Sequence, residues 1–244
     1  MTPPELLVVD LGVVPYTEAL ALQRDVARRR IAGEIEQDVL LLLQHPHVVT
    51  LGRSYKGNTL VASPELLRRR GVELVEVDRG GDITYHGPGQ LVGYPIFDLK
   101  RHTRDLHWYL RQVEEALIVA LGTLGISASR RPGLTGVWVA GDRPRKIASI
   151  GVHARDWVTW HGFALNVTTD LSYFDLMVPC GIDDVRMTSV AVERPGTAVD
   201  VSMVGQRVAD AFASVFHRQT GPVSLRRDLS AIGTPQAAAA DVAS

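Results

Sequence analysis

The sequence predicts an α+β fold, in which a mixed or antiparallel sheet is flanked by helices. Short segments of β-forming residues follow one another in runs, and glycine and proline separate them. The segments with helical periodicity do not alternate strictly with these strands, as a doubly wound parallel sheet would require. The length, 244 residues, suits one compact domain of generous size. We therefore expect a single domain over residues 1–220 and a partly disordered C-terminal extension over 221–244.

The strands are predicted from short runs of aliphatic and β-branched residues that end at turn-forming residues. The first two runs are almost entirely apolar, which indicates buried strands. The predicted strands cover residues 5–11, 38–43, 73–77, 83–85, 91–97, 136–139, 147–153 and 158–167.

Three helices are predicted from apolar residues that recur three or four positions apart. The first covers residues 16–31 and ends in three arginines, whose positive charge suits the carboxyl end of a helix. The second begins after Asp105, a common N-cap residue, and is closed by Gly125. The third covers residues 199–216. From about residue 232 onward the chain is rich in alanine and has no periodic pattern, which is why disorder is expected there.

The composition excludes several classes of protein. The 26 basic residues nearly balance the 27 acidic ones, so no overall charge attracts nucleic acid or an anionic membrane. The N-terminus lacks the basic and apolar regions of a signal peptide, and no apolar run reaches the roughly 18 residues of a membrane span. We therefore expect a cytoplasmic protein. Its single cysteine, Cys180, excludes an internal disulfide and any multi-cysteine metal site.

Residues 79–93 are unusually dense in glycine for a segment with strand-like flanks. Glycines in strands allow a ligand to approach the backbone closely, but they also serve tight hairpins, and both interpretations stay open. Arg79 and His86 lie in this segment and could face a ligand carbonyl or phosphate, or could tie down the turn. The glycine spacing misses the dinucleotide-binding pattern by one residue, and no Walker-type motif occurs.

Cys180 lies between Pro179 and Gly181, a context that predicts a loop rather than a strand. A free cysteine is usually a buried hydrophobe, whereas a loop favours exposure and reactivity. A reactive thiol needs a cation or base beside it, because its ordinary pKa near 8.5 leaves little thiolate at neutral pH. Lys146 begins an alternating strand in which it should share a face with Ala148, Ile150 and Val152. The candidates for the partner of the thiol are Lys146, His86, His153 and His161.

Four segments occur together in the order found in the lipoyl(octanoyl) transferase family, which the sequence resembles from about residue 5 to about residue 217. The Arg-Gly-Gly-x-x-Thr-Tyr-His-Gly-Pro-Gly-Gln string, residues 79–90, is the longest single motif that carries this resemblance. One departure is Val49, where many members carry tyrosine. The four segments are residues 45–53, residues 79–96, residues 146–151, and residues 161–166 followed by 179–182.

The resemblance implies a fold similar to the catalytic domains of biotin and lipoate protein ligases, and a reaction without metal or nucleotide cofactor. Cys180 matches the nucleophile that holds the acyl group as a thioester, and Lys146 matches the residue that lowers the pKa of its thiol. The residues that match acyl-substrate contacts are Arg79, Gly80, Gly81, Asp82, Ile83, Thr84, Tyr85, His86, Ser149, Ile150, Gly151, Gly162, Phe163 and Ala164.

The same resemblance implies that an octanoyl group passes from octanoyl-acyl carrier protein to a lysine of lipoyl domains. The implied acceptors are the E2 subunits of 2-oxoacid dehydrogenases and the glycine cleavage H protein. Ile150, Phe163 and Leu165 are expected as apolar walls of the acyl site. Both protein partners should be acidic and should meet a basic mouth formed by Arg53, Arg79, Arg143, Arg145 and Lys146.

Three other functions remain open at the level of sequence. An ATP-dependent lipoate or biotin ligase would share the fold and use a lysine such as Lys146, but it would not need the cysteine. A cysteine hydrolase would pair Cys180 with His153 or His161 and release free octanoate. A binding module would cause no covalent change at all.

Overall fold

The computed structural model describes residues 3–141, 143–178, 185–220 and 224–225. The strands in these ranges are β1 (Glu5–Val13), β2 (Asp38–Gln44), β3 (Val48–Leu51), β4 (Glu73–Glu76), β5 (Ile83–His86), β6 (Gln90–Ile96), β7 (Ala128–Arg131), β8 (Leu134–Val139), β9 (Arg145–Arg155), β10 (Val158–Asn166), β11 (Arg186–Met187), β12 (Gln219–Thr220) and β13 (Ser224–Leu225). The helices are α1 (Tyr16–Ile31), α2 (Pro64–Arg69), α3 (Leu106–Thr123), α4 (Val190–Glu193) and α5 (Val201–Val215), with 3-10 turns at Leu99–Arg101 and Leu171–Leu176.

The strands form one large mixed sheet and one small sheet. The main path of the large sheet runs β12-β1-β2-β6-β10-β9-β8-β7. β1 and β2 are parallel, whereas the neighbours from β2 to β7 along this path are antiparallel. In the small sheet, β3 pairs in parallel with β4 and in antiparallel with β5. The predicted α+β fold class is therefore confirmed.

Helices cover both faces of the large sheet. α3 and α5 pack on one face in a core that includes Phe97, Leu117 and Phe212. α1 packs on the opposite face, where Val26 and Ala27 meet aliphatic residues of β2 and β6. A separate cluster around Tyr85 and Phe174 lies against the small sheet. β2, β6 and β10 are thus buried along almost their whole length, which for β2 confirms the predicted buried strand.

The predicted helices agree closely with the structure. α1 covers the predicted residues, and α3 begins after Asp105, whose side chain accepts hydrogen bonds from the amides of His107 and Trp108. α5 is shorter than predicted by two residues at its start and one at its end. Periodic burial against the sheet explains this agreement, because a stripe of apolar side chains is both the sequence signal and the packing contact.

The prediction missed several short elements. β3, α2 and β7 have no counterpart among the predicted segments. Four to six residues are too few for a clear period, and the sequence of β7, Ala-Ser-Arg-Arg, is atypical of a strand. β7 pairs with β8 at the edge of the large sheet, where charged side chains can reach water.

The predicted C-terminal extension lies outside the described residues, apart from β13. The backbone of β13 pairs in parallel with β1, with Ser224 opposite Val9. In the part of the chain that the structure describes, no helix combines the length and apolar character needed to cross a membrane.

Candidate active site

A cavity of about 300 Å³ lies between the small sheet and the large sheet. This volume is at the lower end of the roughly 300–1,000 Å³ typical of small-molecule sites. Its walls come from β5 of the small sheet, from β6, β8, β9 and β10 of the large sheet, from α1 and from the glycine-rich loops. The lining residues are Tyr16, Ser54, Arg79, Gly81, Asp82, Ile83, Thr84, His86, Tyr94, Gly133, Leu134, Thr135, Trp138, Lys146, Ser149, Ile150, Gly151, His161, Gly162, Phe163 and Ala164.

The cavity brings together most residues that the sequence marked as acyl contacts, together with Lys146. Two of them, Gly80 and Tyr85, do not line it. The amide of Gly80 donates to the carbonyl of Val152 at 2.9 Å, so this glycine joins the glycine-rich loop to β9. Tyr85 is buried in the cluster beside the small sheet, and its hydroxyl lies 2.7 Å from Nδ1 of His47. Gly80 and Tyr85 therefore contact other segments of the protein and not the cavity.

Other lining residues escaped the sequence analysis. Tyr16 comes from α1, Tyr94 from β6 and Trp138 from β8, so only the packing of distant segments places them together. Leu165 was expected as a wall of the acyl site, and this expectation was wrong. It does not line the cavity and is fully buried in the core beside α3 and α5.

Lys146 reaches the cavity because β9 contains a β-bulge. Val137 pairs with Ala148, but the next residue, Trp138, pairs with Lys146, so Ile147 is an extra residue on β9. Ile147 and Ala148 consequently both enter the core on the helix side. The expectation that Lys146 shares a face with Ala148 was therefore wrong. The bulge turns the lysine toward the cavity, where it is 2% exposed.

Arg79 is also buried at the cavity, and the surrounding backbone holds its guanidinium. Its Nη2 donates to the Thr50 carbonyl at 2.7 Å, its Nε to Thr50 Oγ1 at 3.2 Å, and its Nη1 to the Gly80 carbonyl at 3.1 Å. A Cβ on residue 52 would lie 2.8 Å from Nη1 and 2.4 Å from the Gly81 carbonyl, which explains the glycine there. The cavity thus contains two buried basic side chains, Arg79 and Lys146.

This burial corrects the expected basic mouth. Arg79 and Lys146 lie inside the protein rather than on its rim. Arg145 is engaged by Glu193 through two hydrogen bonds, at 2.9 and 3.0 Å. Of the expected set, Arg53 and Arg143 are exposed.

Three buried histidines lie at or next to the cavity and remain neutral at pH 7: His86 and His161 line it, and His45 packs against Tyr16 and His86. Burial lowers the pKa of His45 to about 4, and burial likewise lowers the pKa of His86 well below its ordinary value. His86 contacts Gln90 Oε1 at 2.9 Å and stacks against Tyr16. Neutral rings here avoid adding charge beside the two buried basic groups.

His161, the third histidine, is held by an unusual backbone and by a carboxylate. Its φ of 56° is uncommon for a residue with a side chain. Its Nε2 lies 2.8 Å from Asp78 Oδ1, and its amide donates to Gln23 Oε1 at 2.9 Å. Burial lowers its pKa to about 4 despite this carboxylate. Burial is the largest single influence on Asp78 and opposes its ionisation, but the interactions with His161, the charge of Arg24 and a backbone hydrogen bond together outweigh burial and lower the pKa of Asp78 to about 2.

The other predicted partners of the thiol are placed differently. His153 does not line the cavity; its Nδ1 lies 2.9 Å from the Asp78 carbonyl and its ring packs on Trp160. Cys180, the predicted nucleophile, lies outside the described residues. In the described part of the chain, no group of three or more His, Cys, Asp and Glu side chains could hold a metal ion.

Both described flanks of the segment 179–184 are fixed beside the cavity. On one side, the Val178 amide donates to the Thr59 carbonyl at 2.7 Å, and Thr59 Oγ1 donates to the cavity residue Asp82 at 3.1 Å. On the other side, Met187 of β11 pairs with Lys146, and the Thr188 amide donates to the Lys146 carbonyl at 2.9 Å. The described residues on either side of this segment, Val178 and Met187, are therefore linked to Asp82 and to Lys146, respectively.

A small cavity with a buried lysine, between two sheets of an α+β fold, is a site suited to a small ligand. Comparison with known proteins makes the class specific. The family model of the lipoyl protein ligase A/B catalytic domain matches residues 15–213. A solved structure of a bipartite lipoate protein ligase with its E2 lipoyl domain, from Thermoplasma acidophilum, has the same fold. Its TM-score is 0.71 at 18% identity, over 96% of this chain and 91% of that one.

Relatives of known name are much closer in sequence. An octanoyltransferase of Koribacter versatilis is 51% identical over 214 residues, covering 87% of this chain and 84% of the relative. An octanoyltransferase of Solibacter usitatus is 50% identical over 206 residues, covering 84% of this chain and 90% of the relative. The chain therefore belongs to the lipoyl protein ligase A/B catalytic-domain family and, within it, to the octanoyltransferases, which are acyl-transferring enzymes.

Proposed function

We propose that this enzyme moves an octanoyl group from octanoyl-acyl carrier protein to a lysine of a lipoyl domain, through a thioester on Cys180. The observation that carries the proposal is the position of Lys146. It lies in an acyl-sized cavity, next to the strand that ends the segment containing the only cysteine of the chain. We take residues 1–220 as the catalytic unit and the cytoplasm, where a thiol stays reduced, as its compartment.

The first half-reaction is a thioester exchange. The Lys146 ammonium favours the thiolate of Cys180, and each unit by which the thiol pKa falls corresponds to about 1.4 kcal/mol. The thiolate attacks the octanoyl carbonyl, a new carbon–sulfur bond forms, and the carbon–sulfur bond to the carrier breaks. The carrier leaves as a thiolate and takes up a proton. Because one thioester replaces another, the exchange needs no ATP.

The second half-reaction forms the amide. The acceptor lysine attacks the Cys180 thioester, a carbon–nitrogen bond forms, and the sulfur leaves with the electron pair. A lysine ammonium loses two protons in becoming an amide nitrogen: one returns to sulfur and the other leaves the site. The neutral His161 lines the cavity and can accept a proton in this step, and Lys146 can do so only after it has lost its own proton earlier in the cycle. Backbone amides near Lys146 or Cys180 are our candidates to stabilise the oxyanion.

The acyl chain has an apolar environment in the cavity. Ile150, Phe163 and Ala164 supply side chains to the walls, while Gly151 and Gly162 let the chain lie against backbone. We propose that the remaining predicted contacts on this cavity, from Arg79 to His86, face the carbonyl end and the donor arm. The acceptors in this proposal are the lipoyl domains of 2-oxoacid dehydrogenase E2 subunits and the glycine cleavage H protein.

Intact-protein mass spectrometry tests the proposal. The enzyme is mixed with octanoyl-acyl carrier protein without ATP, and we expect an added octanoyl mass that maps to Cys180 and is lost when a lipoyl domain is supplied. Cys180→Ser should acquire no thioester. An ATP-dependent ligase would instead form no adduct and would modify the lipoyl domain only with ATP. Release of free octanoate as the main product, with a lipoyl domain present, would identify a hydrolase.

A further inference from the structure

We propose that Gly136 and Trp138 form a slot that aims the Lys146 side chain into the cavity, and that Glu114 fixes this slot from α3. These three are positioning residues, since they would act through Lys146. The inference rests on the proposed role of Lys146 in activating Cys180. It adds to that role a means of orienting the side chain, because a lysine side chain is long and flexible unless its surroundings select one conformation.

The first wall of the slot is the backbone of Gly136. A Cβ on this residue would lie 2.7 Å from Cε of Lys146 and 3.3 Å from its Nζ. The aliphatic stem of the lysine therefore passes directly over the Cα of Gly136. The φ of Gly136 is +130°, a conformation that residues with side chains rarely adopt. Two observations therefore require glycine at position 136: its backbone conformation and the close approach of the Lys146 side chain.

The second wall is the ring of Trp138. Trp138 pairs directly with Lys146 across β8 and β9, and the lysine Nζ lies 5.4 Å from the ring centroid. A cation near the face of a tryptophan is attracted by its π-electrons, more so where water is excluded. Trp138 is 1% exposed and lines the cavity, so the contact lies in a largely dry site. The ring therefore favours a charged lysine at this position.

Glu114 anchors the slot to the helix layer. Its side chain is fully buried, and its Oε1 accepts a hydrogen bond from the Gly136 amide at 3.0 Å. Its Oε2 lies 2.6 Å from Arg111 and 3.2 Å from Arg130, which balance its charge. A buried carboxylate that bonds a strand amide fixes that part of the strand relative to α3. The β-bulge on β9 then determines the position along β8 at which the Lys146 side chain crosses Gly136.

The test uses the sole cysteine as a reporter of the lysine. The pH dependence of Cys180 alkylation by iodoacetamide reports the thiolate, and mass spectrometry reports the rate of octanoyl uptake. We expect Gly136→Ala to slow octanoyl uptake at least tenfold and to move the alkylation midpoint up toward about 8.5. Trp138→Leu should act in the same direction, and Trp138→Phe, which keeps an aromatic face, should recover part of the loss.

Two further variants make the result decisive. Gly33→Ala introduces a Cβ at another positive φ, +77°, with no atom within 4 Å, and should leave both readouts unchanged. Lys146→Ala sets the size of the full effect. The slot is refuted if Gly136→Ala folds and keeps the wild-type alkylation profile while Lys146→Ala shifts it. If Gly136→Ala does not fold, Trp138→Leu takes its place in this comparison. If Lys146→Ala itself changes neither readout, the proposed role of the lysine fails first, and the slot fails with it.

Discussion

The buried histidine His45 should make the enzyme lose stability in mild acid. Its Nδ1 lies 2.6 Å from the carbonyl of Val14 and its Nε2 lies 2.7 Å from the hydroxyl of Tyr94, so both ring nitrogens have partners inside the protein. Burial lowers its pKa from 6.5 to about 4. Because the folded state binds the proton less readily than the unfolded chain, stability is complete above pH 6.5. It falls as the pH drops from 6.5 toward 4.

The size of this loss follows from the two pKa values. At pH 5 the unfolded histidine is mostly protonated and the folded one is mostly neutral, which corresponds to about 2 kcal/mol of lost stability relative to pH 7.5. His161 and His86 shift in the same direction and add to the loss. The total loss in the wild-type protein should therefore exceed the part that His45 contributes.

Urea denaturation at pH 7.5 and pH 5.0 measures the effect. We expect His45→Gln to be less stable than the wild type at both pH values, but to show a pH-dependent loss that is smaller by about 2 kcal/mol. His107→Gln, which removes an exposed histidine, controls for the loss of a titratable group at the surface. An identical pH dependence in His45→Gln and wild type would contradict the assignment of the buried neutral ring.

Two other substitutions have defined outcomes. Asp38 is buried between Arg30 at 3.1 Å, His102 at 2.7 Å and Arg218 at 3.0 Å, so Asp38→Asn leaves buried positive charge uncompensated. Its free energy of unfolding should fall by roughly 3–5 kcal/mol in a denaturant titration, and a fall below 1 kcal/mol would show that the cluster does not depend on the carboxylate. A Cβ on residue 93 would lie 2.1 Å from Cζ of Phe163, so Gly93→Ala should displace this ring, which lines the cavity. Octanoyl uptake should then slow more than butyryl uptake, as measured by mass spectrometry, and an unchanged ratio of the two rates would exclude Phe163 as a wall for the acyl tail.

Local sequence patterns located the elements that pack as regular layers. The spacing of apolar residues in 16–31 and 105–124 identified α1 and α3, because the same spacing creates the buried stripe of each helix. The glycine-rich segment 79–93 and the strand 147–153 also lie where the cavity is. Their glycines and their alternation of apolar and polar residues are local properties of the chain, so the sequence alone reveals these segments.

The direction of Lys146 shows where such patterns fail. Simple alternation placed it with Ala148, Ile150 and Val152, but a bulge at Ile147 reverses its side. A bulge depends on how β9 pairs with β8, and that register is decided by the packing of both strands rather than by either sequence. The buried state of Arg79 is likewise a consequence of its contacts with Thr50, which lies 29 residues away along the chain.

By itself, the sequence determined the α+β class and the positions of the long helices. It also identified Cys180 and Lys146, which lie in segments that resemble those of a known family. Only the tertiary structure decided that α1 supplies Tyr16 to the same cavity as His161 from β10, that Glu114 supports Gly136, and that Lys146 faces inward. The physical reason is that periodicity records which side of an element is buried. Contacts between residues far apart in the chain arise only when whole elements pack, and the sequence of one segment does not record its partner.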